Sequence, residues 1–145
     1  MAVGDHKARE DLAAEARRHG FELATAIHPA ATVAEGVEPG PGTVVMAGAV
    51  VNPGTRIGEN VIVNTRAGVD HDCTLCNGVH VAPGAVLGGW VTLGAGAWIG
   101  LGAVVRDRVT VGPGTLVGAG AVVLADLPPD VVAYGVPARV IRKLS

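Results

Sequence analysis

The chain has 145 residues, a net charge of −2, and 49% hydrophobic residues of which few are aromatic, at 3% of the chain. That length allows one domain with a short appendage, and a near-neutral charge with no Lys/Arg cluster in its body argues against nucleic acid as a partner. Without an apolar run that could span a membrane or act as a leader, the default expectation is a cytoplasmic protein whose core is a narrow stack of aliphatic side chains.

Residues 5 to 19 read as a short helix. Asp5 can cap it, Ala8, Leu12 and Ala16 form a thin apolar stripe, and Gly20 can end it. The expected place for this helix is over the open first coil of the repeat that begins near Ile27, where it would hide a strand edge.

From Ile27 onward a six-residue period runs without an insertion. Every sixth residue from Ile27 to Val123 is Ile, Leu or Val, with Pro39 as the one exception. The fifth position of each hexad is small or β-branched, as in Ala31, Ala49, Ala67, Cys73, Ala85 and Ala121, until Leu127. Six is not a multiple of 3.6, so no helix keeps one residue per hexad on a constant face. Strict alternation is also missing, which argues against a simple sandwich. A chain that turns a corner every six residues satisfies the pattern, and this is the hexapeptide signature of a parallel β-helix. Pro-Gly at the third and fourth positions (Pro41-Gly42, Pro53-Gly54, Pro83-Gly84, Pro113-Gly114) supplies the corner.

Three hexads per turn predict coils over 27–44, 45–62, 63–80, 81–98 and 99–116, with a partial sixth from 117. Residues 18 apart then lie directly above one another, about 4.8 Å apart. Pro39 falls in the first coil, where an irregular edge costs least. The repeat stops at Pro128-Pro129-Asp130, and the last segment ends in the basic residues Arg139, Arg142 and Lys143.

Outside its inward positions the repeat needs little, so polar departures from it are informative. The densest runs from Asn64-Thr65-Arg66 through Asp70-His71-Asp72-Cys73 to His80. His71 and Asp72 take the positions that carry Pro-Gly elsewhere, and an outward imidazole beside a carboxylate is the minimal general-base arrangement. One coil above His71 is Gly89, which leaves room for a ligand and offers a backbone N–H to a developing oxyanion. His80, nine residues after His71, is half a perimeter away and cannot face the same small ligand within one chain. It can in a closed cyclic trimer, where one copy's wall meets another's corner.

The remaining candidates are weaker. His28 reads as a turn residue, and His6 and His19 belong to the terminal helix. Cys73 and Cys76 imitate half of a zinc or redox motif, but Cys73 occupies a small inward slot, and no metal is expected. The glycines near Gly94 and Gly112 fall on hexad corners and are turns rather than phosphate loops.

The run Val63-Asn64-Thr65-Arg66-Ala67-Gly68-Val69-Asp70-His71-Asp72-Cys73, with His80, Pro83-Gly84, Gly88-Gly89 and the ending Gly135-Val136-Pro137-Ala138-Arg139, resembles the hexapeptide-repeat sugar O- and N-acetyltransferases. The resemblance covers roughly residues 21–142. Within them it is to the sialic acid O-acetyltransferase and nucleotide-aminosugar N-acetyltransferase group, including enzymes that acetylate UDP-4-amino sugars. It implies an all-β fold, a left-handed parallel β-helix, assembled as a homotrimer with acetyl-CoA between subunits and a sugar or nucleotide-sugar acceptor. By the same resemblance His71 is the general base and Asp72 raises its basicity. His80, Gly89, Leu101, Ala119 and Arg139 contact the cofactor, with Arg142 as a further phosphate partner, and Asn64 lies near the acceptor.

The implied organisation is a lead-in at 1–26, a β-helix acyltransferase domain at 27–128 and a C-terminal segment at 129–145. Val3-Gly4-Asp5 and the helix look like the last piece of the Rossmann-like half that holds the nucleotide sugar in this group. Two alternatives stand beside this reading. One is a non-catalytic trimeric scaffold or CoA-binding module. The other is a γ-type carbonic anhydrase, which needs a third metal-binding histidine where this chain has Glu35 or Asp107.

Overall fold

The computed structural model describes residues 5–144; Val3 and Gly4 of the expected domain remnant lie outside the described residues. The body is a parallel β-helix whose two-residue strands repeat every six residues and stack in register eighteen apart, as in Ile62↔His80 and Gly68↔Val86. Sheet A contains Ala26–Ile27, Val44–Val45, Ile62–Val63, His80–Val81, Trp98–Ile99 and Leu116–Val117, then Val131–Gly135 and Ala138–Lys143. Sheet B stacks Thr32–Val33, Val50–Val51, Gly68–Val69, Val86–Leu87, Val104–Val105 and Val122–Val123. Sheet C is shorter, from Arg56–Ile57 through Thr74–Leu75 and Thr92–Leu93 to Thr110–Val111. It loses a strand at each end: Pro39 falls where its lowest strand would form, and at the top Leu127 adds only a single bridge to Val111.

The second residue of each strand points inward. Leu75, Leu87, Leu93 and Ile99 are fully buried, and the small fifth-position residues Ala49, Ala67, Ala85, Ala97 and Ala103 fill the angles between walls. The expected period therefore accounts for the core.

The corners follow from the backbone. The fourth residue of the hexad has positive φ in coil after coil, from Gly36 and Gly42 to Gly114 and Gly120, which is the conformation glycine adopts without a Cβ penalty. The third residue donates no backbone hydrogen bond to the neighbouring coil, so proline fits there. At Thr65 and His71 the third-position N–H turns instead to a side chain, Asn64 Oδ1 and Asp70 Oδ1 respectively, both at 2.8 Å.

The N-terminal helix α1 spans His6–Arg18, and the Asp5 side chain accepts from the Ala8 N–H at 2.8 Å, as expected of its cap. Gly20, at φ +80, ends it. Its seat differs from expectation. The helix lies along the corner between sheets C and A rather than over the first coil, and its buried residues are Arg9 and Ala13 rather than the Ala8–Leu12–Ala16 stripe. The cause is polar. Arg9 donates to the Gly78 carbonyl at 2.6 Å, Arg17 pairs with Glu59 at 2.6 Å, and the His6 ring stands over Gly78 and Gly96. At the other end Val131–Gly135 joins sheet A beside Leu116–Val117, and Ala138–Lys143 returns antiparallel as its last strand. Charged Arg139, Arg142 and Lys143 line that free edge, which discourages pairing with another strand.

Candidate active site

His71 and Asp72 sit on the corner between sheets B and C. Asp72 occupies the fourth hexad position with φ +56, a conformation that Asp tolerates better than most residues, and its N–H bonds the Pro53 carbonyl one coil below. This turn aims Asp72 Oδ2 at Nδ1 of His71, 2.8 Å away. With Nδ1 held by the carboxylate, Nε2 is the nitrogen left for exchange with a ligand. It lies against Gly89: a methyl group placed there would come within 2.7 Å of Nε2 and 2.9 Å of Cε1. Gly89 therefore makes room for the imidazole. Its backbone φ is not positive, so the glycine serves this close approach and not the turn.

The pair is half exposed in one protomer, His71 at 50% and Asp72 at 39%. Asp70 supports it from the side by accepting from the His71 N–H at 2.8 Å and from Asn52 Nδ2 at 2.9 Å. Those bonds, the Asn52 one foremost, hold the Asp70 carboxyl below the usual carboxylate range. A notch of about 270 Å³ opens beside it on sheet B, between Val50 and Val86, where Gly68 leaves the outer column without a side chain.

The other expected residues gather elsewhere. Asn64 Nδ2 lies 3.1 Å from His80 Nε2, and the His80 ring is stacked 4.7 Å from that of Trp98. His80 is 7% exposed although it projects from the outer face of sheet A. Leu101 and Ala119 stack on the corner between sheets A and B above Thr65 and Pro83, with Gly120 donating to the Leu101 carbonyl. Arg139 follows in the last strand of sheet A, opposite Tyr134. The expected site is thus split in two across the width of sheet B. His71, Asp72 and Gly89 lie on one side; Asn64, His80, Leu101, Ala119 and Arg139 lie on the other.

The cysteines take no part. Cys73 is buried with its thiol donating to the Gly88 carbonyl at 3.2 Å, and burial pushes its pKa up. Among the described residues no three His, Cys, Asp or Glu side chains are placed to hold a metal ion, and none of the helices there is long and apolar enough to cross a membrane. His28 is a turn residue, accepting from the Ala30 N–H at 3.0 Å.

Two residues here were not singled out by the repeat, Trp90 and Arg108, and both have positive φ at fourth hexad positions. A residue other than Gly, Asn or Asp at that position is the signal that would have marked them.

The stacked hexads and the histidine corner are those of a hexapeptide-repeat acyltransferase, and residues 54–89 match the family model described as bacterial transferase hexapeptide (six repeats). Among solved structures, the acetyltransferase domain of PglB from Neisseria gonorrhoeae FA1090 is 45% identical with a TM-score of 0.94, the match covering 97% of this chain and 68% of that one. PerB from Caulobacter crescentus, solved with CoA and GDP-perosamine, is 48% identical with a TM-score of 0.95 and the same coverage. WeeI from Acinetobacter baumannii AYE is 29% identical with a TM-score of 0.93, again covering 97% and 68%. No curated protein matches the chain. The chain belongs to the hexapeptide-repeat sugar acetyltransferases, and it is an acyltransferase that depends on acetyl-CoA.

Proposed function

We propose that the protein transfers an acetyl group to an amino group on a sugar carried by a nucleotide, with His71 as general base. The observation that carries this reading is the His71 Nδ1–Asp72 Oδ2 bond of 2.8 Å, with Nε2 lying over the bare backbone of Gly89. Relatives supply the substrate class: PerB was solved with CoA and GDP-perosamine, and a PglB domain with acetyl coenzyme A.

The residues present suit such a donor. The N–H groups of Gly89, Leu101 and Ala119, all third-position residues, meet no acceptor among the described residues. They offer a series of outward donors to an amide-bearing chain, and Arg139 and Arg142 offer charge to phosphates. Acetyl-CoA supplies an acyl carbon activated as a thioester. His71 Nε2 takes the proton that the sugar amine sheds as it attacks, Asp72 fixes the ring's orientation, and collapse of the adduct breaks the C–S bond so that coenzyme A leaves as its thiol, protonated by His71. The Gly89 N–H donates to the acyl oxygen as negative charge develops there.

The two halves of the site are completed between copies of the chain. In this reading a homotrimer sets the His71 corner of one protomer against the Asn64–His80 face of the next, with Asn64 serving the acceptor and His80 the donor. The segments 1–26, 27–128 and 129–145 act as lead-in, acyltransferase domain and phosphate-side cap, in a cytoplasmic protein.

The test measures free-thiol release from acetyl-CoA in the presence of nucleotide-linked 4-amino sugars. His71→Ala is expected to lose turnover by about 10²–10⁴-fold while keeping its oligomeric size. Unchanged turnover would remove the mechanism. Acetyl-CoA binding without thiol release for any acceptor would favour the scaffold reading.

A further inference from the structure

We infer that Trp90 is the platform on which the acceptor's sugar ring stacks, so that it sets specificity for the acceptor; this rests on the functional reading above. The first observation is where the ring stands. Among the described residues, six other than glycine have positive φ: Asn60, Arg66, Asp72, Trp90, Arg108 and Asp130. Asn and Asp tolerate that region, whereas a bulky ring at φ 63 is out of place. Two coils below in the same column the fold uses Gly54. Within one protomer burial does not repay the strain either, because Trp90 is 50% exposed there. Strain kept at an exposed position beside a candidate base points to function.

The second observation is how the ring is held. Arg108, one coil above, places its guanidinium carbon 5.5 Å from the ring centroid. The His71 ring meets the indole edge to face, with centroids 6.1 Å apart and planes at 89°. Gly89, the residue on which Nε2 rests, is its chain neighbour. The indole is therefore fixed in orientation next to the reacting corner.

The third observation is what the ring borders. A cavity of about 210 Å³ lies on the sheet C side of the corner, lined by Gly54, Arg56, Asp72, Thr74, Trp90 and Thr92. An indole bordering a cavity among hydroxyl, carboxylate and guanidinium groups suits a pyranose. Its polarised C–H face lies on the electron-rich ring, and its hydroxyls find donors and acceptors around the edge. A sugar seated there presents a ring substituent toward His71. Coenzyme A offers no comparable combination of a flat C–H face with peripheral hydroxyls at its acyl end.

The informative variant is Trp90→Gly, because glycine is the fold's own residue at this position and relieves the positive φ. With acetyl-CoA and GDP-perosamine as probes, the acceptor KM is expected to rise about ten-fold. The acetyl-CoA KM should stay within two-fold of the parent and the oligomeric size should not change, and Trp90→Tyr should recover most of the loss. An unchanged acceptor KM, a rise confined to acetyl-CoA, or a change in oligomeric size overturns the platform. A second readout is independent of turnover. Adding the methyl glycoside of a 4-amino-4,6-dideoxyhexose should change the parent's tryptophan fluorescence, and that change should vanish in Trp90→Gly. A ligand-induced change that persists in the variant, where only Trp98 remains, or that is absent in the parent, also overturns it. Absence of thiol release by the parent with GDP-perosamine and UDP-linked 4-amino sugars instead defeats the functional reading, so the two failures are distinguishable.

Discussion

Two corners of the spiral are made from the same hexad and have opposite surfaces. At the corner between sheets C and A, Gly78 and Gly96 lie under the His6 ring, Arg9 donates to the Gly78 carbonyl, and α1 covers the column. At the corner between sheets B and C, the equivalent column runs Gly54, Asp72, Trp90, Arg108 and stays open. In the first column glycine is demanded twice, by the positive φ and by the helix pressed against it. In the second the helix is absent, yet three successive positions carry side chains in a conformation that glycine would adopt more easily. Packing within the protomer explains the covered corner; the chemistry of the site accounts for the open one.

Four substitutions test that contrast, and the largest effect removes what both corners share. Leu87 is fully buried behind them, and Leu87→Ala should cost about 2–5 kcal/mol, read as a lower denaturant midpoint with both corners failing together. Gly89→Ala should act on the open corner alone. Its methyl would displace the imidazole, and turnover should fall by up to about 100-fold while the melting temperature barely moves. A fall in stability matching the fall in rate would erase the distinction. At the covered corner the outcome reverses. Gly96→Ala should cost about 1–3 kcal/mol by pushing His6 aside at a positive φ, with kcat unchanged, and adding His6→Ala should restore part of the loss. Gly84→Ala is the smallest. It also has positive φ but meets open space, so only backbone strain remains, about 1 kcal/mol in a urea titration.

Acid titration offers a further check on the open corner. The folded-state carboxyl of Asp70 is depressed by its bonds from Asn52 and the His71 N–H. Its contribution is present above the ordinary carboxylate range and is lost as pH falls through the lower folded value. Because the side chain is only partly buried, solvent screening should leave a small acid-side difference between the parent and Asp70→Asn. A difference that instead grows toward alkaline pH would contradict the assigned sign.

Much of this was legible in the residue order because a β-helix is a one-dimensional object. Each inward valine or leucine contacts the residues eighteen before and after it, so period alone assigns strand, wall and core. His71, Asp72 and Gly89 were readable for the same reason: two are adjacent, and the third is one coil away. The seat of α1 was not. Its polar anchors, Arg9 on Gly78 and His6 on Gly96, lie 69 and 90 residues apart in the chain, and an apolar stripe of small residues was too weak to aim the helix. Trp90 was passed over because a periodic reading assigns its position to a corner without asking what backbone conformation the corner requires.

Residue order by itself determined the coil, its register and the pairing of an imidazole with a carboxylate, because each depends on spacings that translate directly into height and direction along a repeat. Tertiary structure alone decided which corner the helix covers and that Arg9, His6 and Arg17, rather than an apolar stripe, seat it there. Those outcomes depend on contacts between surfaces with no common period, and a repeat carries no information about what lies against its outside.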